Sequence, residues 1–227
     1  MKNQCIIFVL KDHEKWLTNN IEKIVKLSYE FDIYFVTRIF NDRINQIIKS
    51  NNFVNIPLSY DSGYYDALCS GFEFIQNLKY RIWVEFGEFD RINLDEVEKL
   101  NSINKDYDYE KSIIFCSKYI KKHRPKRYKK YIYFSIGKKI YDPYSRFKIY
   151  NDSSFDAIKH LFQYKMDPQN FLNLLYKKPN FIEVRIKSKK VKLNHELFWK
   201  KVRNKFKLYI YAIFILPYIK RNGLNKY

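Results

Sequence analysis

Two acidic residues one position apart stand in the segment EFGEFDRIN, where Glu88 and Asp90 flank Phe89 just beyond a stretch that reads as a β-strand. On a turn, such a pair can point outward together and share a hard divalent cation, which in turn grips a diphosphate. Acid-x-acid triplets also occur widely as solvated loop charges, so the pair by itself decides nothing. A second group is cationic: SKYIKKHRPKRYKK sets Arg124, Lys126 and Arg127 close together. Guanidinium groups meet phosphate oxygens in bidentate fashion, although the same cluster also suits a solvated face or a nonspecific polyanion patch. His13, His123, His160 and His195 are scattered, with no metal-ligand spacing and no Ser or Cys partner that would complete a nucleophilic triad. Gly63 and Gly71 belong to neither a GxxxxGK nor a GxGxxG pattern.

These groups need a scaffold, and the apolar pattern supplies one. Residues 5–10 form a short continuous apolar run, as in a strand buried on both faces. Leu17, Ile21, Ile24 and Ser28 recur at helical spacing, and a β-branched and aromatic run follows at 33–36. A helix over 41–49, a strand at 54–56, a helix carrying Ala67, Leu68, Phe72 and Ile75, and a strand over 81–85 continue the alternation. Asn93, three residues before Glu96, predicts an N-capped helix whose stripe is Leu94, Val97, Leu100 and Ile103, with another strand at 113–116. Such alternation predicts an α/β three-layer sandwich, with ligands at the carboxyl ends of its strands, where the acidic turn lies. Later, a helix over 170–176, a strand over 181–186 and a basic helix from about residue 195 are expected.

The chain has 227 residues, 46% of them apolar, enough for a substantial core. Lys and Arg number 43 against 24 Asp and Glu, a net charge of +19 that favours a polyanion or an anionic membrane surface as partner. Cys5, Cys69 and Cys116 are an odd number at wide spacing, against both a disulfide framework and a structural zinc site, so a cytoplasmic setting is expected. The first apolar run is too short for a signal-peptide core or a membrane span. Near the other end, Phe198, Val202, Phe206, Tyr209 and Ile213 make an apolar stripe beside Lys200, Lys201, Arg203, Lys205 and Lys207. That is the pattern of a helix lying on a membrane surface, or equally of one docked on the protein's own core or a second subunit. The expected division is a domain over 1–193 and a basic amphipathic helical appendage over 194–227.

Taken in order, several segments resemble the family 2 glycosyltransferases of GT-A fold, above all the branch of dolichyl-phosphate mannose synthase and the polyprenyl-phosphate sugar transferases. SGYYDALCSGFEFI resembles that family's glycine and Ala-Leu start of a helix, and IWVEFGEFDRINLDEVEKL its strand, DxD and following helix, with Glu88-Phe89-Asp90 as the DxD. IIFCSKY resembles the next strand, with Lys118 in place of Arg, and DPYSRFKIY resembles Asp-x-x-Ser-Gly-Phe-Arg, with Arg146 for Gly and Lys148 for Arg. FIEVRIKSKKVKLNHELFWKKV resembles the strand, basic loop and juxtamembrane helix that follow. The chain departs from the family after its second strand, where Asp-Asp-Gly-Ser usually reads the nucleotide base: FVTRIFNDR carries no acid at the strand's end, and Asp42 comes too late.

The resemblance implies a GT-A-like domain with a mixed, mostly parallel sheet, a nucleotide-sugar donor, and Mg²⁺ or Mn²⁺ held by Glu88 and Asp90. It implies donor binding by Asp61, Gly63 and Glu88, and an inverting displacement at the anomeric carbon centred on Asp90. Arg124, Arg127, Ser145 and Lys148 would bind an acceptor phosphate, as in a polyprenyl phosphate, which is already an anionic nucleophile. A glycan hydroxyl would instead need a base, for which Asp142 is the candidate. The implied setting is peripheral to the inner face of a membrane, in polysaccharide biosynthesis. Two other readings stand beside it: a nucleic-acid-binding basic module, against which no recognised nucleic-acid fold signature appears, and a catalytically degenerate scaffold subunit.

Overall fold

The computed structural model describes residues 2–10, 13–38, 41–58, 63–87, 89, 92–99, 112–117, 145–151, 155 and 180–186. Its strands are β1 (Gln4–Val9), β2 (Asp32–Arg38), β3 (Val54–Leu58), β4 (Ile82–Phe86), β5 (Ser112–Ser117), β6 (Phe147–Asn151) and β7 (Asn180–Arg185). Its helices are α1 (Glu14–Leu27), α2 (Asp42–Ser50) and α3 (Tyr64–Ile75). The strands form one seven-stranded sheet in the order β3-β2-β1-β4-β6-β5-β7. Strands β1 to β4 pair in parallel, β7 runs parallel to β5, and β6 alone is antiparallel to its neighbours β4 and β5. The expected mixed, mostly parallel sheet is therefore present.

Period-two alternation along the central strands divides the core in two. Ile6 and Phe8 of β1, Val84 and Phe86 of β4, and Phe147 and Ile149 of β6 share a cluster with Leu17 and Ile24 of α1 and Ile44 and Ile48 of α2. On the other face, Trp83 of β4 and Tyr150 of β6 meet Phe72 of α3 edge-on, at ring-centroid distances of 6.3 and 5.6 Å. Phe155 stacks flat on Trp83 at 3.7 Å. Strand β1, covered on both faces, reads as an unbroken apolar run, which is why it was legible from sequence.

The apolar faces expected of two helices are the buried ones, Leu17 and Ile24 in α1 and Ala67, Leu68, Phe72 and Ile75 in α3, and α2 buries Ile44 and Ile48. Asn41 caps α2, its side chain accepting from the Ile44 N–H at 3.2 Å. The helix expected after Asn93 spans 95–99 among the described residues, and the Glu96 carboxylate accepts from Lys99 at 2.8 Å. Leu94 and Val97 are buried as expected, while Leu100 and Ile103 lie outside the described residues. Strand β6 was not expected, because Lys148 breaks the apolar run of FKIYN. The helix over 170–176 and the basic helix from about 195 lie outside the described residues, as does the appendage over 194–227. Among the described residues no helix is long and apolar enough to cross a membrane.

Candidate functional site

Strand order reverses between β1 and β4: the chain leaves β1 toward β2 and β3 on one side and returns to β4 on the other. The carboxyl ends of two such neighbours bound a crevice, the usual place for a ligand in an open α/β sheet. Leu10 is fixed there by its N–H, which donates to the Val36 carbonyl at 2.9 Å. Phe89, just past β4, is buried, with ring centroids 4.5 Å from both His13 and Trp16 and 5.8 Å from Phe86. An aromatic anchor thus sits between the two acids in sequence, tying that segment to the core at the crevice. Glu88 and Asp90 themselves lie outside the described residues. Two carboxylates around an anchored residue are a donor set suited to a hard divalent ion, which prefers oxygen ligands. Among the described residues themselves no group of three or more acids, histidines or cysteines is arranged to hold a metal.

The α3 side of the crevice rests on a buried polar cluster. Glu85, 0% exposed, faces Lys148, 1% exposed, directly across the β4–β6 ladder. The Lys148 ammonium donates to both Glu85 oxygens, at 3.1 and 3.0 Å. The Tyr150 hydroxyl donates to Oε2 at 2.6 Å and the Tyr64 hydroxyl to Oε1 at 3.2 Å. Burial, and then the adjacent Glu85 charge, push both phenols well above their ordinary range, so they stay protonated donors. The sheet can hold an acid at this depth because all its partners are donors. Sequence reasoning passed over this cluster, although a charge inside the apolar run IWVEF was itself a signal, since a buried carboxylate needs partners.

Glycine at 87 is what lets Tyr64 reach this position. A Cβ there would lie 2.3 Å from the Tyr64 ring, so any larger residue would displace the first side chain of α3. Opposite Gly87, the Arg146 carbonyl accepts its N–H at 2.7 Å, and the Arg146 guanidinium carbon sits 4.2 Å from the Tyr64 ring centroid.

Of the residues expected to serve the site, Ser145, Lys148 and Gly63 are described. Ser145 is buried and its hydroxyl closes a local turn, donating to the Phe147 carbonyl at 3.2 Å and accepting from the Phe147 N–H at 3.3 Å. Lys148 presents no cation to the crevice surface, since its ammonium is sunk against Glu85. Gly63 is the N-cap of α3, and its N–H donates to the Asp66 carboxylate at 3.3 Å. Asp61, Arg124, Arg127 and Asp142 lie outside the described residues.

At the end of β2, where the resembled family carries an acid, a neutral network appears instead. The buried Thr37 hydroxyl lies 3.0 Å from Asn45 Oδ1 and 2.8 Å from Asn55 Oδ1, and Asn55 Nδ2 donates to Asn45 Oδ1 at 2.9 Å. These contacts tie β2, α2 and β3 together beside the crevice.

No protein-family model matches the sequence, and no curated protein matches it either. Solved structures do match. The Mycobacterium tuberculosis glucosyl-3-phosphoglycerate synthase in complex with Mg²⁺ and UDP superposes with a TM-score of 0.68 at 8% identity, over 93% of this chain and 79% of that one. The same enzyme with Mn²⁺, UDP-glucose and phosphoglyceric acid gives 0.63 at 10% identity, over 93% and 79%. The mannosyl-3-phosphoglycerate synthase of Rubrobacter xylanophilus gives 0.63 at 8% identity, over 100% and 76%. This chain has the GT-A fold. The α/β layer sandwich anticipated from the alternation of strands and helices is thus the fold found. The similarity lies with glycosyl-3-phosphoglycerate synthases, and nothing among these matches singles out the dolichyl-phosphate mannose synthase branch that the motifs resemble.

Proposed function

We propose that this protein is a glycosyltransferase that moves a sugar from a nucleoside-diphosphate donor to a phosphate-bearing acceptor. The observation that carries the reading is the Phe89 anchor, between Glu88 and Asp90 in sequence, at the switch point of a sheet whose solved counterparts hold UDP with Mg²⁺ or Mn²⁺. Glu88 and Asp90 are the residues that would hold the divalent cation, which when bound offsets the negative charge developing on the departing diphosphate. Asp61 and Gly63 line the donor side in this reading. Arg124 and Arg127 would make the acceptor side cationic in this reading, with Ser145 beside them in the family motif, while the Lys148 charge is met by Glu85.

A phosphate on the acceptor is common to the polyprenyl phosphates of the resembled family and to the phosphoglyceric acid of the solved neighbours. The two differ in what attacks. A phosphate oxygen is already anionic near neutral pH and needs only positioning, whereas a hydroxyl must lose its proton to a base, the role given to Asp142. With a lipid acceptor, the basic segment 194–227 would bring the protein to anionic lipid at about 1 kcal/mol per Lys or Arg near the surface.

Thermal shift and calorimetry with UDP and Mn²⁺ test the reading. A ligand that binds the native state alone raises the melting temperature. The wild type is expected to respond to UDP only with the metal present, and Asp90→Asn to lose that response while melting unliganded as the wild type does. A wild type indifferent to UDP, GDP, ADP and CDP alike, with and without Mn²⁺, refutes the transferase reading, and an Asp90→Asn variant with full response refutes the assigned metal site.

A further inference from the structure

The N-cap of α1 is His13, whose side chain makes no capping hydrogen bond, although a short polar oxygen at this position would satisfy an N–H at the start of the helix. Its ring packs instead on Phe89, with centroids 4.5 Å apart. Trp16, three residues on and therefore on the same face of α1, meets the same ring at 4.5 Å and an interplanar angle of 60°. Phe89 is 5% exposed, and beyond it Ile92 and Leu94 are buried in the same core cluster. On the other side, the Gly87 N–H is held by the Arg146 carbonyl at 2.7 Å. In sequence, Glu88 thus falls between Gly87 and Phe89, and Asp90 between Phe89 and Ile92, so each acid has a fixed residue close by on both sides. About two turns further along α1, the Lys23 ammonium donates to Asp95 Oδ1 at 2.7 Å and to Asn93 Oδ1 at 3.3 Å. That ion pair is exposed and screened by solvent, so the buried rings carry more of the attachment.

We propose that Trp16, together with His13, is a positioning residue for the divalent cation: by clasping Phe89, the first turn of α1 sets how tightly Glu88 and Asp90 hold Mg²⁺ or Mn²⁺. The inference rests on the transferase reading, which names the two acids, and adds the residues that govern their affinity. Two carboxylates that share one ion must have their backbone ordered around it. On an unrestrained segment that ordering opposes binding, whereas a segment whose middle residue is wedged among rings is already ordered by folding. Groups that orient metal ligands from behind are as much a part of a metal site as the ligands. An N-cap position given to a ring that packs instead of an oxygen that caps breaks a local helix rule, and such breaks mark places where a residue serves something other than its own helix.

Mn²⁺ alone is the probe, its free-ion paramagnetic resonance signal falling as protein takes it up, and the titration is repeated with UDP present. Trp16→Leu keeps an apolar side chain but removes the ring, and it is expected to bind Mn²⁺ about 10- to 100-fold more weakly than the wild type. Trp16→Phe restores a ring and should recover most of that affinity. Phe89→Leu removes the other half of the contact and reads the same loss if Trp16→Leu folds poorly. Gly71→Ala strains the opposite face of the sheet and should bind Mn²⁺ as the wild type does. Trp16→Leu with wild-type affinity, Trp16→Phe with none of the loss restored, or Gly71→Ala with an equal loss overturns the proposal. Full Mn²⁺ uptake by Asp90→Asn places the ion elsewhere and overturns it together with the assigned metal site. A wild type whose Mn²⁺ binding depends on Trp16 in this way but which ignores UDP, GDP, ADP and CDP refutes the transferase reading and leaves the positioning role standing. A wild type that takes up no Mn²⁺, with or without those nucleotides, refutes both.

Discussion

Glu85 is the residue on which the α3 side of the crevice depends. A carboxylate taken out of water loses hydration worth several kcal/mol, and only an opposite charge with well-placed donors restores it. Lys148 supplies the charge, and Tyr64 and Tyr150 supply the other donors. Removing one partner is therefore worse than removing both. Lys148→Met is expected to destabilise the fold by about 3–5 kcal/mol, since it leaves Glu85 charged and buried. Adding Glu85→Gln should recover much of the loss, because the amide oxygen still accepts from a phenol and no charge remains. Urea unfolding of the two single variants and the double variant checks this, and additive losses would show that the pair is not coupled. At this scale the sequence was only partly readable. The acid pair stood out because its two residues are adjacent in the chain, whereas Glu85 and Lys148 are 63 residues apart and meet only through the register of an antiparallel strand that their own charges conceal.

Helix α3 is the element that joins the core to the crevice. Its first residue, Tyr64, reaches the Glu85 cluster, and its middle packs so close to the sheet that position 71 has no room for a side chain. A Cβ on Gly71 would come within 2.7 Å of a Val36 methyl and 3.3 Å of an Ile7 methyl. Helix propensity alone makes Gly→Ala stabilising by about 1 kcal/mol in a helix interior. The contact should outweigh it: Gly71→Ala is expected to destabilise by about 1–3 kcal/mol net, as overpacking usually does. If the denaturation midpoint rises instead, α3 is free to lift off β1 and β2, and the close approach does not fix the helix. The elements from β1 to β4 were legible because each is a local run with its own period, and the buried stripe of α3 is the one its spacing predicts. Strand β6 was not legible, since its polar centre makes sense only beside β4. The absence of an acid from the carboxyl end of β2 is plain in the sequence, but the Thr37, Asn45 and Asn55 network depends on three separate elements and has no local signature.

For the molecule as a whole, the tyrosines couple folding to alkaline pH. Tyr34 and Tyr80 at the amino end of the sheet share a 2.6 Å hydroxyl contact, and Tyr80 also donates to Asp32 at 2.9 Å, while Tyr64 and Tyr150 sit on Glu85 at the other end. Burial is the largest cause that raises all four above their ordinary value of 10; neighbouring acids add to it, and only at Tyr34 does a phenol, the Tyr80 hydroxyl, pull the other way. A raised folded value means that the native state holds its phenol protons after the unfolded chain has released them. Each tyrosine thus contributes stability that is complete below pH 10 and is lost as pH climbs from there toward the folded value. Above pH 10 each should steepen the fall in stability by about 1.4 kcal/mol per pH unit. Tyr150→Phe removes one titrating phenol together with its hydrogen bond, so it should lower stability at neutral pH but flatten the alkaline fall by about one such increment. Urea midpoints collected from about pH 8 to about pH 11.5 separate the two effects, because the lost hydrogen bond shifts the whole curve and the lost titration changes only its slope. Parallel curves for wild type and Tyr150→Phe would mean that Tyr150 ionises in the folded protein as readily as in the unfolded chain, and that the Glu85 cluster opens to water before the fold does.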